Sequence, residues 1–101
     1  MVPPEEFWNL VGFILAGENR RKVMFCLEKG YATPKQISTS CNLRIGHVSN
    51  ILISLKDKEL VYCRNPDAKR GRIYSLTELG EEIMSSIKKA GSNRSPQSSK
   101  D

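Results

Sequence analysis

The chain has 101 residues with 39% hydrophobic residues, which suffices for one small domain with one modest core and leaves no room for a second, catalytic domain. Sixteen Lys and Arg stand against eleven Asp and Glu, and the resulting net charge of +5 favours an anionic partner. No apolar run reaches the roughly 18 residues of a membrane span, and the opening MVPPEEFW has acids where a secretory signal carries a basic stretch, so the expected location is cytoplasmic with no membrane partner.

Residues 4–17, PEEFWNLVGFILAG, begin with a proline and two acids, the residue types that suit a helix first turn. The apolar residues that follow (Phe7, Trp8, Leu10, Val11, Phe13, Ile14 and Leu15) surround most of the helix circumference. A surface helix has one polar face, so this one is expected to be covered on two sides, by its own core and by a second copy of the chain. The expected dimer surface comprises Phe7, Trp8, Leu10, Val11, Phe13 and Ile14, joined by Ile83 and Ile87 of the last helix.

Gly17 breaks the run, and ENRRKVMFCLEKG predicts a second helix, with Gly30 in the C-terminal stop position. In the next stretch Thr33 suits an N-cap and Pro34 a first helical position, predicting a short helix over residues 34–40 with Ile37 inward. After a turn at Cys41 and Asn42, the spacing of Ile45, Val48, Leu52 and Leu55 predicts one buried stripe on a helix spanning residues 44–58. The period then changes. LVYCR and RIYSL are short β-type runs separated by NPDAKRG, a hairpin signature, and Thr77 with Glu81 starts a final helix. Residues 91–101 lack large apolar residues and are expected to form a disordered tail beyond a domain of residues 1–90.

The fold class is therefore mainly α with a small β-hairpin, a winged helix-turn-helix with N- and C-terminal flanking helices. Charge follows the same plan: residues 20–72 hold twelve Lys and Arg against four acids. The single histidine, His47, and three cysteines without a C-x-x-C pair signal no metal site, no cofactor and no disulfide framework. Reduced, largely packed thiols are the expectation for Cys26, Cys41 and Cys63, with a redox role left open. Gly-rich phosphate loops, Gly-x-Ser-x-Gly and His-Glu pairs are missing from the sequence, so no enzyme activity is expected.

TPKQIS, HVSNILISLKDKELV and GRIYSLTELG together resemble winged helix-turn-helix transcription regulators of the ArsR/MarR-like group, and within it the small archaeal type, over residues 18–90. The resemblance implies a homodimer that binds operator DNA as a repressor, with recognition helices in the major groove and wings at the minor groove or backbone. Two departures stand out. Glu59 occupies a position where the group usually has glycine, and the cysteine-rich segment of its metal sensors is missing.

A recognition helix buries one stripe and offers the opposite face to base edges. That assigns Arg44, Gly46, His47, Ser49, Asn50 and Ser54 to DNA, with Asn50 carrying the bidentate amide that suits adenine. Ser49, matched by the resemblance, is expected at a phosphate. In the wing of residues 64–72, Arg64, Lys69, Arg70 and Arg72 are expected to reach phosphates or a narrow minor groove. Thr33, Lys35 and Gln36 open the preceding helix beside the DNA backbone. The expected partners are double-stranded DNA, as for a nucleoid-associated protein, and a second copy of the chain; an effector is not identified. Two alternatives remain at this point, a winged-helix protein interaction module docking through Trp8, Phe7 and Phe13, and a non-specific architectural DNA-binding protein.

Overall fold

The computed structural model describes residues 3–99, with side chains through residue 89. Its elements are α1 (Pro4–Ala16), α2 (Glu18–Leu27), β1 (Tyr31–Ala32), α3 (Pro34–Cys41), α4 (Ile45–Asp57), β2 (Val61–Cys63), β3 (Tyr74–Leu76) and α5 (Glu78–Ser99). The order matches the expected winged helix-turn-helix, with one addition. The wing strands belong to a three-stranded antiparallel sheet, β1-β3-β2, in which Tyr31 and Tyr62 both pair with Ser75.

Local chemistry explains most boundaries. Pro4 and the acids Glu5 and Glu6 start α1, and Gly17 alone, in an extended conformation, separates it from α2. At this corner the Arg21 guanidinium donates to the Leu15 carbonyl, and the Arg20 guanidinium lies over the Phe13 ring at 4.0 Å. Thr33 and Gln36 form a reciprocal capping box for α3: the Gln36 N–H donates to Thr33 Oγ1 at 3.1 Å and the Thr33 N–H to Gln36 Oε1 at 2.9 Å. Asn42 ends α3 in the left-handed region, φ 58°, while the Leu43 N–H closes onto the Ser38 carbonyl.

One core joins all five helices to the sheet. Ile14 of α1, Met24 and Leu27 of α2, Ile37 of α3, Leu52 and Leu55 of α4, and Ile83 and Met84 of α5 are fully enclosed. The α4 stripe is shifted from the expected one. Ile45 is 53% exposed, because the first turn of α4 projects past the edge of the core, and Ile51 joins Val48, Leu52 and Leu55 inside. In β3, Tyr74 and Leu76 share the core side, whereas Ile73 and Ser75 lie on the other face, since successive strand residues alternate.

The helix α5 runs to Ser99, beyond the end near residue 90 that composition suggests. Helix propagation needs only one further hydrogen bond per residue, so it can outrun the apolar face that composition detects. The expected tail, residues 91–101, has its side chains outside the described residues.

Glu59 provides the turn from α4 into the wing. Its φ is +61°, its N–H donates to the Lys56 carbonyl, and the Leu60 N–H donates to the Leu55 carbonyl at 2.9 Å. That double closure is the Schellman motif, whose left-handed position favours glycine. Glu59→Gly is expected to raise stability by about 0.5–1 kcal/mol, seen as a higher urea midpoint at unchanged slope. A lower midpoint would mean that the glutamate side chain contributes more than its backbone conformation costs.

Candidate nucleic-acid interface

Opposite the buried stripe, α4 leaves Gly46, Ser49, Asn50 and Ile53 exposed at helical spacing. These residues share one uncovered strip. Ile53, 63% exposed, sits at its C-terminal end and is absent from the expected set; the only sequence signal for it is a large apolar residue off the buried stripe. An apolar group there suits a thymine methyl. Nothing lies within 4 Å of where a Gly46 Cβ would stand, so the strip is open at that point.

The other expected α4 residues fall at the margins. Arg44 is exposed at the N-cap position and makes no side-chain cap bond. His47 is exposed but turned towards the α1–α2 corner, where it lines a depression with Glu18, Asn19, Arg20 and Ile51. Ser54 is half-buried.

The wing separates its cations into two kinds. Arg72 is fastened to the wing's own loop: its Nε donates to the Ala68 carbonyl at 2.9 Å and its Nη2 to the Pro66 carbonyl at 3.4 Å. Arg64 lies over the Tyr31 ring at 5.2 Å and donates to Ser75 Oγ at 3.4 Å, tying the wing to β1. Lys69 and Arg70, just before Gly71 at φ +63°, are exposed at the tip and make no side-chain bond among the described residues. The expected quartet is thereby divided into two residues that shape the wing and two that project from it.

Asn65 does the shaping that sequence reading missed. Its Oδ1 accepts from the Ile73 N–H at 2.7 Å, and its Nδ2 donates to the Gly71 carbonyl at 3.2 Å. One amide thus bridges both arms of the wing loop, and the signal in the sequence was only an Asn-Pro turn opener. Asn65→Ala is expected to cost about 1 kcal/mol and to speed hydrogen exchange at the Ile73 amide, because that N–H loses its acceptor. Unchanged exchange at Ile73 would remove Asn65 from this role.

At the α3 end, Thr33 and Gln36 use their side chains on each other in the capping box, leaving Lys35 as the exposed cation. Arg20 and Arg21 are engaged at the α1–α2 corner. The expected dimer surface also divides. Leu10, Val11, Ile14 and Ile83 are buried in the protomer's own core and have no surface to offer a partner. Phe7, Phe13 and Ile87 are half-buried, while Trp8 is 61% and Leu15 47% exposed. Leu15 was not in the expected set. It follows Trp8 at helical spacing, with Gly12 between them and nothing within 4 Å of its Cβ position.

Among the described residues no group of three or more His, Cys, Asp or Glu side chains is placed to hold a metal, and no helix is long and apolar enough to cross a membrane.

No family model and no curated protein matches the sequence. Solved structures do. A MarR family transcription regulator aligns with a TM-score of 0.74 and 25% identity, covering 81% of this chain and 56% of its own. The homodimeric winged helix-turn-helix DNA-binding domain Mb0332 from Mycobacterium bovis, a possible ArsR-family regulator, aligns with a TM-score of 0.76 and 19% identity over 91% of this chain and 84% of its own. A mutant MarR from E. coli complexed with operator DNA aligns with a TM-score of 0.67 and 22% identity over 86% and 66%. The chain spans little more than half the length of the first of these.

Proposed function

Because the chain has the winged helix-turn-helix fold of MarR- and ArsR-type transcription regulators, we propose that it is a sequence-specific DNA-binding regulator, a repressor, that acts as a homodimer. In this reading α4 enters the major groove by the strip of Gly46, Ser49, Asn50 and Ile53, with Arg44 at its edge. Lys69 and Arg70 reach the minor groove or the backbone, and Lys35 meets a flanking phosphate. The observation that carries it is the uncovered α4 strip, which is polar apart from Ile53 and leads into a wing whose free tip is cationic. The operator complex of MarR and the homodimeric state of Mb0332 support the same assignment.

Fluorescence anisotropy with a duplex selected from a random pool, against a scrambled duplex, tests the proposal at about 50 and 200 mM salt. Specific binding predicts that the selected duplex keeps at least a ~1,000-fold advantage. Equal, salt-labile binding to both indicates the architectural alternative, and binding to neither contradicts a DNA role.

The dimer rests on the Trp8 and Leu15 face of α1. Trp8→Asp with Leu15→Asp is expected to weaken self-association by at least ~100-fold, since a buried Trp is a common interface hot spot. Sedimentation velocity at micromolar protein reads this directly. Because both side chains are exposed in the protomer, helix content should be retained. A wild-type chain that sediments as a monomer while Trp8 still binds another protein would favour the interaction-module reading.

A further inference from the structure

Cys26 on α2 and Cys41, the last residue of α3, stand where the two helices pack and share one cavity. Both are half-buried, and both line a cavity of about 380 Å³ together with Lys22, Phe25, Lys29 and Ser40. The third cysteine stands elsewhere: Cys63 is on β2, its thiol donating to Asn65 Oδ1 at 3.6 Å. No step of the proposed DNA contact uses this cavity, which lies at the opposite end of α3 from Thr33 and Lys35.

We propose that Cys26 and Cys41 form a dithiol modification site that a hydroperoxide entering this cavity converts to a disulfide joining α2 to α3. The Cys26 thiolate attacks one peroxide oxygen, the O–O bond breaks, and the departing alkoxide takes a proton to leave as alcohol, or as water from hydrogen peroxide. Cys26 is then a sulfenic acid. The Cys41 sulfur attacks it, the S–O bond breaks, and the hydroxide leaves as water with the Cys41 proton. Two thiols are oxidised by two electrons, and one hydroperoxide is reduced to alcohol and water.

The surroundings assign the order of events. Burial, reinforced by the neighbouring Cys26 thiol, pushes the Cys41 thiol above its usual range, while Lys22 opposes the rise. That direction suits Cys41 to the resolving role, in which it enters as a thiol. Lys22 and Lys29 at the cavity wall favour the anionic sulfur species formed on the way. The product crosslinks the two helices that precede the recognition helix, without any contribution from a second chain.

Oxidation of the whole, reduced chain with a small excess of hydrogen peroxide, followed by alkylation, intact mass and peptide mapping, tests this. The expected product is a monomer about 2 Da lighter before alkylation, alkylated only at Cys63, yielding a Cys26–Cys41 linked peptide pair that dithiothreitol releases. Cys26→Ser should abolish that product. Three alkylated thiols after peroxide, a disulfide that includes Cys63, a disulfide between two chains, or a 2 Da loss that survives Cys26→Ser would each overturn the proposal.

Discussion

Gly80→Ala is expected to lower the thermal midpoint by about 10 °C, the loss that roughly 2 kcal/mol produces in a domain of this size. A Cβ at Gly80 would stand 2.3 Å from the Leu60 carbonyl oxygen and 3.2 Å from its carbon. That oxygen has nowhere to go, because it accepts the Thr77 N–H at 3.0 Å. Thr77 itself donates its hydroxyl to the Glu59 carbonyl at 2.7 Å and accepts the Gly80 N–H at 3.0 Å. The start of α5 is thus stapled to the turn that leads from α4 into the wing, and Gly80 is what allows the approach. Overpacking of this kind typically costs about 1–3 kcal/mol, more than the 0.5–1 kcal/mol that Ala returns in helix propensity. Differential scanning calorimetry checks it; an unchanged or higher midpoint would show that α5 slides away freely. The same contact accounts for the string from Thr77 to Gly80, in which the sequence showed a helix start at Thr77 and a family resemblance but not the close approach at Gly80.

Reversing Lys69 and Arg70 to Glu is expected to weaken DNA binding by at least ~100-fold at low salt, while leaving stability within about 0.5 kcal/mol. Charge-assisted hydrogen bonds contribute about 1.5–3 kcal/mol each, so losing two, even at the low end, gives that factor. Both side chains are exposed and make no bond among the described residues, so the fold has little to lose. The slope of log affinity against log salt should fall by about 1 for each phosphate contact removed. Lys29→Glu with Lys89→Glu changes net charge equally at exposed positions away from the wing and serves as the control. Equal losses in both variants would mean that only net charge matters and that the wing tip makes no contact. Arg72→Ala belongs to a different class, since its guanidinium holds the loop carbonyls of Pro66 and Ala68. Its effect should appear as a loosened wing as well as a lost charge.

The order of elements was legible because its signals are local. Thr33 with Pro34, Gly17, Gly30 and the apolar spacing of α4 each act within one helical turn. β1 was not legible: two residues, Tyr31 and Ala32, carry no alternation, and they become a strand only through pairing with β3, more than forty residues away. The α4 stripe shows the limit of spacing arguments. Ile45 and Ile51 both fit a helical period with Val48, and only the position of the core edge decides that Ile51 is inside. For the candidate site, residue type and exposure were readable, but side-chain allegiance was not. Arg64, Arg72, Gln36 and His47 looked like DNA contacts by charge or position; Arg64, Arg72 and Gln36 bond within the chain and His47 faces the α1–α2 corner. Glu59 stood out in the sequence only as a departure from the group's glycine, and the fold shows it in the left-handed region.

Binding of a 15N-labelled chain to its selected duplex, followed by amide chemical-shift mapping, addresses the DNA-reading surface most directly. The expected result is that the largest shifts fall on Gly46, Ser49, Asn50 and Ile53 of α4 and on Lys69 and Arg70 of the wing, with Trp8 and Leu15 of α1 unmoved. Shifts concentrated on α1, with the α4 strip and wing tip silent, would contradict the assignment of this face to DNA.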